Sequence, residues 1–194
     1  DIMNNRYYVI IGVLFRVIVA ISGCTIPWTG SGTNGNNPPD VQGVTAASLT
    51  GPGTIIIEQG NNESIKVEGS DNDKSNLEII KTGPSLEIIS KPSADVKIYL
   101  TVKNITALTI SGPGIINATG NVEQLAITIT GQGTVNAKDL VAQNAVVTVT
   151  GEGEALVNAV QTLVATVTGS GSIKYQGNPQ VQQTVNGGGS VSKA

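Results

Sequence analysis
The side chains able to do chemistry in this 194-residue chain are few and scattered. It has no His and a single Cys, and its 14 acids slightly outnumber its 11 Lys and Arg, for a net charge of −3. Glu152 and Glu154 flank Gly153 and are the nearest approach to the paired carboxylates of a glycosidase. No neighbouring repeat offers an acid at the equivalent position, so the pair reads as a solvated corner. Asp71 and Asp73, in Gly69-Ser70-Asp71-Asn72-Asp73-Lys74-Ser75-Asn76, begin like a calcium loop. The glycine and the bidentate acid that complete such a loop are missing, which leaves an Asx-rich turn. The Gly-rich segments are no phosphate loop, because none leads through Lys-Ser/Thr into a helix. The residues predict a non-catalytic protein with no metal site and no cofactor. The weighed alternative is a polysaccharide-active enzyme, since solenoids host lyases and hydrolases.

Charge and aromatic content narrow the partners. Both arginines, Arg6 and Arg16, lie in the first 16 residues, and past Cys24 only Trp28, Tyr99 and Tyr175 are aromatic. Nucleic acid is excluded on these grounds, because it needs a basic surface and stacking rings.

The regular chemistry is that of hydroxyls. Thr128-Ile129-Thr130, Thr148-Val149-Thr150 and Thr166-Val167-Thr168 repeat one pattern, extended by Thr109 before it and Thr184 after it. On stacked strands these side chains form a lattice of about 4.8 Å by about 6.7 Å. Such an array resembles the faces of ice-binding solenoids, an alternative function. Its plainer reading is strand-forming threonines paired with their neighbours. As a binding face, Thr109, Thr128, Thr130, Thr148, Thr150, Thr166, Thr168 and Thr184 are the candidate residues.

These threonines belong to a repeat. Gly112-Pro113-Gly114, Gly131-Gln132-Gly133, Gly151-Glu152-Gly153, Gly169-Ser170-Gly171 and Gly187-Gly188-Gly189 recur at intervals of 19, 20, 18 and 18 residues, and Gly51-Pro52-Gly53 is an earlier copy. Two positions before each first glycine stand Ile110, Ile129, Val149, Val167 and Val185, with Leu49 in the early copy. Four positions after it stand Ile116, Val135, Ala155, Ile173 and Val191, with Ile55 in the early copy. A unit this short cannot bury its own apolar stripe, so the units must stack. The prediction is an all-β parallel β-helix (β-solenoid) over 41–194 with coils of about 18–20 residues. Aliphatic ladders point inward, with Ile110, Ile129, Val149, Val167 and Val185 in one column, and threonines point outward. The runs 54–60, 64–69, 77–80 and 86–89 read as strands of the first coils. The alternative weighed is an antiparallel sandwich of the same short strands.

The front end reads as an address. Met3-Asn4-Asn5-Arg6, an apolar run from Tyr7 to Ile21 and Ile21-Ser22-Gly23-Cys24 resemble a bacterial lipoprotein signal peptide over 1–23, with Cys24 as the acylated residue and Arg16 as a departure inside the apolar run. The other reading is an uncleaved membrane anchor. Residues 24–40, rich in Gly, Ser, Asn and Pro, read as a flexible linker. The expected location is the bacterial cell envelope, on the outer membrane or the outer leaflet of the plasma membrane, with the domain facing outward. The expected partners are the membrane through Cys24, a surface glycan or protein, and further copies of the chain through an exposed C-terminal coil.

The order Val44 to Gly69, the turn Ser70-Asp71-Asn72-Asp73, two short strands and then repeated T-[IV]-[ST]-G-x-G resembles the GIN domain, the head of putative auto-transporter adhesins. The likeness covers roughly 41–194 and is strongest from Leu108 to Gly114 and its successors. It implies a parallel β-helix in bacterial surface proteins and a cell-surface adhesion or structural role, and it carries over no catalytic residue. The positions after the second glycine, Ile115, Thr134, Glu154, Ser172 and Ser190, depart from the acidic residue frequent there in the family.

Overall fold
The computed structural model describes residues 40–91 and 95–194. Among these residues, period-two alternation of aliphatic and polar side chains produces thirteen strands: β1 Ala46–Thr50, β2 Thr54–Gln59, β3 Ser64–Glu68, β4 Leu77–Thr82, β5 Ser85–Ser90, β6 Lys97–Val102, β7 Ala107–Ser111, β8 Ile115–Gly131, β9 Thr134–Gly151, β10 Glu154–Gly169, β11 Ser172–Gln176, β12 Gln180–Asn186 and β13 Ser190–Lys193. They form a β-solenoid, as the repeat predicts. Strands before the glycine corner stack in the order β5, β1, β7, then the second halves of β8, β9 and β10, then β12. Strands after it stack as β6, β2, then the first halves of β8, β9 and β10, then β11 and β13. Every pairing within these two stacks is parallel.

The predicted ladders form. Leu49, Ile110, Ile129, Val149 and Val167 are register partners and fully buried, as are Ile55, Ile116, Val135, Ala155 and Ile173 on the other wall. Each such side chain packs above and below its equivalent, so burial costs no new shape at each rung. Val185 continues the first column opposite Val167, yet it is 38% exposed, against the expectation that it is buried, because no coil covers it among the described residues.

The glycine corner depends on two different constraints. Gly151 has φ +112°, where an L side chain is strained, and a Cβ there would lie 2.8 Å from the Gly131 carbonyl oxygen. Gly153 faces inward, where a Cβ would stand 2.5 Å from Ile129 Cγ2. The opposite corner is tolerant. The differing coil lengths are absorbed there by register shifts at Asn117/Thr119, Val157/Asn158 and Ala159/Thr162.

The N-terminal region corrects two expectations. First, its strands are not simply the first coils. β3 runs antiparallel to β6, and β4 antiparallel to β5, so these two form a lid across the end of the stack. The early Gly51-Pro52-Gly53 copy sits directly beneath the Gly112 coil, although about 60 residues of sequence separate them. The two-residue loop Gly83-Pro84, with Gly83 at φ +58°, forces the reversal between β4 and β5, since a parallel return needs a far longer crossover. Second, the Asx-rich turn is a one-turn helix, α1 Asp71–Ser75. Ser70 caps it in a reciprocal box with Asp73, whose other carboxylate oxygen accepts from the Asp95 backbone N–H.

Candidate uncharged binding face
The candidate threonines form one surface. Thr109, Thr128, Thr148, Thr166 and Thr184 are successive register partners, and so are Ser111, Thr130, Thr150, Thr168 and Asn186. All are partly or fully exposed, because they alternate with the buried ladders. Pairing on this wall runs without a bulge from Ala107 to Asn186, so the two columns stay in step over about 19 Å of stack.

The same alternation extends the face by two columns that sequence reasoning missed. Ala107, Ala126, Val146, Val164 and Gln182 form one, and Gln124, Asn144, Thr162 and Gln180 form the next. The Thr162 hydroxyl donates to Asn144 Oδ1 at 2.7 Å, tying neighbouring rungs. Reading two further positions upstream of each threonine, as A/V-x-T-x-T, would have found the nearer column. No position of these four columns, from Ala107 to Asn186, carries a charge.

The opposite wall differs. It carries Glu154 paired with Lys174 at 2.7 Å, and the exposed Tyr99 and Ile115. Lys66 lies 5.9 Å above the Tyr99 ring and pairs with Glu68 at 2.6 Å. That contact raises the Lys66 pKa and lowers that of Glu68.

Among the described residues, no set of acids converges as hydrolysis requires. Glu152 accepts from Gln132 Nε2 at 2.9 Å at the corner, while Glu154 turns to Lys174. The Asp73 carboxyl is held below the usual range, chiefly by the Ser70 hydroxyl and then by the Asp95 N–H, which assigns it to capping. Glu63 is likewise lowered, first by the Gly43 N–H at 3.0 Å and then by Lys103 at 3.3 Å. Among the described residues, no three His, Cys, Asp or Glu stand together as metal ligands. A shallow cleft of 160 Å³ between β10 and β12, lined by Thr162, Leu163, Val164, Gln180, Val181 and Gln182, contains no titratable group and is smaller than a typical ligand pocket. Cys24, the signal-like segment 1–23 and the linker up to residue 39 lie outside the described residues. No described helix is long and apolar enough to cross a membrane.

Comparison with known proteins gives a family. The family model described as "Putative auto-transporter adhesin, head GIN domain" matches residues 82–179, half of the chain. No curated protein matches. Solved structures with a similar chain path include a "putative adhesin" from Bacteroides fragilis, with 17% identity and a TM-score of 0.49, covering 80% of this chain and 94% of that one. A "putative lipid binding protein" from Parabacteroides distasonis has 18% identity and a TM-score of 0.43, covering 81% and 95%. A "putative cell adhesion protein" from Clostridium sporogenes has 15% identity and a TM-score of 0.42, with the same coverages of 81% and 95%. The chain belongs to the GIN-domain family of putative auto-transporter adhesin heads.

Proposed function
We propose that this chain is a non-catalytic adhesion module, held on the outer face of a bacterial envelope by acyl chains on Cys24, that grips its target through the uncharged threonine face. The observation that carries this reading is the four-column wall from Ala107 to Asn186, which is in continuous register and bears no charge. Hydroxyls, amides and methyls at fixed spacing suit a neutral, hydrogen-bonding partner such as a surface glycan or a protein surface. Nucleic acid is a poor match for such a wall. The face lacks the Trp, Tyr and Arg that make compact tight sites. Each contact is therefore weak, and useful strength comes from many copies displayed on one cell. The family supports a role at the cell surface. The separate engagement of Glu152, Glu154, Asp73 and Glu63 supports a protein without turnover.

The test combines a glycan array with a reducing-sugar assay on the same polysaccharides. Retention of the displayed chain without release of new reducing ends is expected. Reproducible cleavage would overturn the non-catalytic reading, and thermal hysteresis in the absence of glycan or cell binding would move the face to ice. Metabolic labelling with a clickable fatty acid tests the anchor: label should enter the wild-type chain and vanish in Cys24→Ala, and equal labelling refutes it.

A further inference from the structure
We propose that the β12 rung is a self-complementary edge through which two copies of the chain pair end to end about a two-fold axis at Gln183. The residue types on this rung, rather than its place in the sequence, mark it as the last of the stack. One inward column runs Leu108, Ile127, Val147, Ala165 and then Gln183; another runs Ala137, Val157, Tyr175 and then Lys193. A further apolar coil laid over them would bury an amide and an ammonium with no partner provided by the ladder.

β12 pairs with β10 on one side, and all seven of its residues are exposed. Its other edge presents unpaired backbone donors and acceptors, the usual template for strand addition. The opposite end of the stack is guarded. Its edge strands β3 and β4 run antiparallel to their neighbours and carry Lys66, Glu68, Glu78 and Lys81, whereas Gln180–Asn186 carries no charge. Charged edges resist pairing, which disfavours head-to-tail stacking and leaves the uncharged β12 edge to meet its own copy.

The sequence of β12 fits that meeting. An antiparallel pair centred on Gln183 sets Val181 against Val185 of the second copy, and Val185 against its Val181. These two valines are 37% and 38% exposed and extend the core columns. Gln183 meets its own counterpart, so the two amides can donate to and accept from each other. On the outer side Gln182 meets Thr184 and Gln180 meets Asn186, both neutral hydrogen-bonding pairs. A one-residue shift of the axis would lose the valine match.

The test uses the full chain in detergent micelles under mild oxidation, with the wild type as baseline for its native Cys24. Gln183→Cys alone should form a disulfide dimer. Val181→Cys and Val185→Cys should cross-link only when the two variants are mixed, because in this register equivalent residues of the two copies lie about 14 Å apart while opposed ones fall within disulfide reach. Sedimentation of the unmodified chain should show a dimer that becomes a monomer in Val185→Lys with unchanged circular dichroism. Cross-linking at residue 183 no greater than wild type, self-linking of Val181→Cys equal to that of the mixture, or a wild-type chain that stays monomeric at every concentration would each overturn the proposal.

Discussion
Two regions of this molecule use the same strand-forming residues and arrive at opposite arrangements. Leu77-Glu78-Ile79-Ile80 and Leu86-Glu87-Ile88-Ile89 are the same four-residue sequence twice, and they lie antiparallel. Thr128-Ile129-Thr130 and Thr148-Val149-Thr150 are nearly the same three, and they lie parallel. The strands do not decide this; the connections do. A two-residue loop at Gly83-Pro84 can only turn the chain back, while a coil of 18 to 20 residues returns it to the start of the next rung. The lid therefore depends on one short connection, and the stack depends on repetition.

The largest effect expected from that difference is on buried charge. Val149→Asp places a carboxylate in the middle of a ladder with aliphatic partners above and below, and should cost more than about 4 kcal/mol. Ile79→Asp, on the edge strand β4 and 6% exposed where Val149 is 0%, should cost about half as much. Urea unfolding of both variants checks this, and equal losses would erase the distinction between stack and lid.

Glycine replacements should separate the regions by a smaller margin. Gly153→Ala drives a methyl into the Ile129 ladder and should cost about 1–3 kcal/mol. Gly83→Ala meets open space and strains only a left-handed backbone, for about 1 kcal/mol. Thermal denaturation should rank the two in that order.

The smallest effect is one of acidity. The native pKa values of Asp73 and Glu63 lie below their ordinary values, through the Ser70 hydroxyl and the Gly43 N–H respectively. A carboxylate lowered in the folded state contributes stability that is fully present above its unfolded pKa and is lost as pH falls through the native one. Amides of β3 and β4 should therefore lose hydrogen-exchange protection on acidification before those of β8 to β10. Asp73→Asn should remove part of that pH dependence.

The stack was legible because its information is redundant. Each inward position is repeated from coil to coil, so the periodic glycines and aliphatics define the walls before any contact is known. The lid was not, because the Gly-Pro hairpin signal is brief and the matching Leu-Glu-Ile-Ile segments imitate a repeat. The capping box at Ser70 and Asp73 was hidden inside a run of turn-forming residues. The outward direction of the threonine columns is legible in their alternation with the aliphatics. The Ala/Val column beside them is not legible, since small and branched residues pointing outward look like core in a one-dimensional pattern.

The face itself is open to the most direct measurement, adhesion of cells displaying the chain with one charge added to either wall. Thr148→Glu places a carboxylate at the centre of the uncharged lattice, and Ser172→Glu places one on the already charged wall, beside Glu154; both positions are outward, and circular dichroism should show both variants folded before adhesion is compared. The account predicts that Thr148→Glu abolishes adhesion while Ser172→Glu leaves it intact. Equal adhesion by the two variants would contradict it.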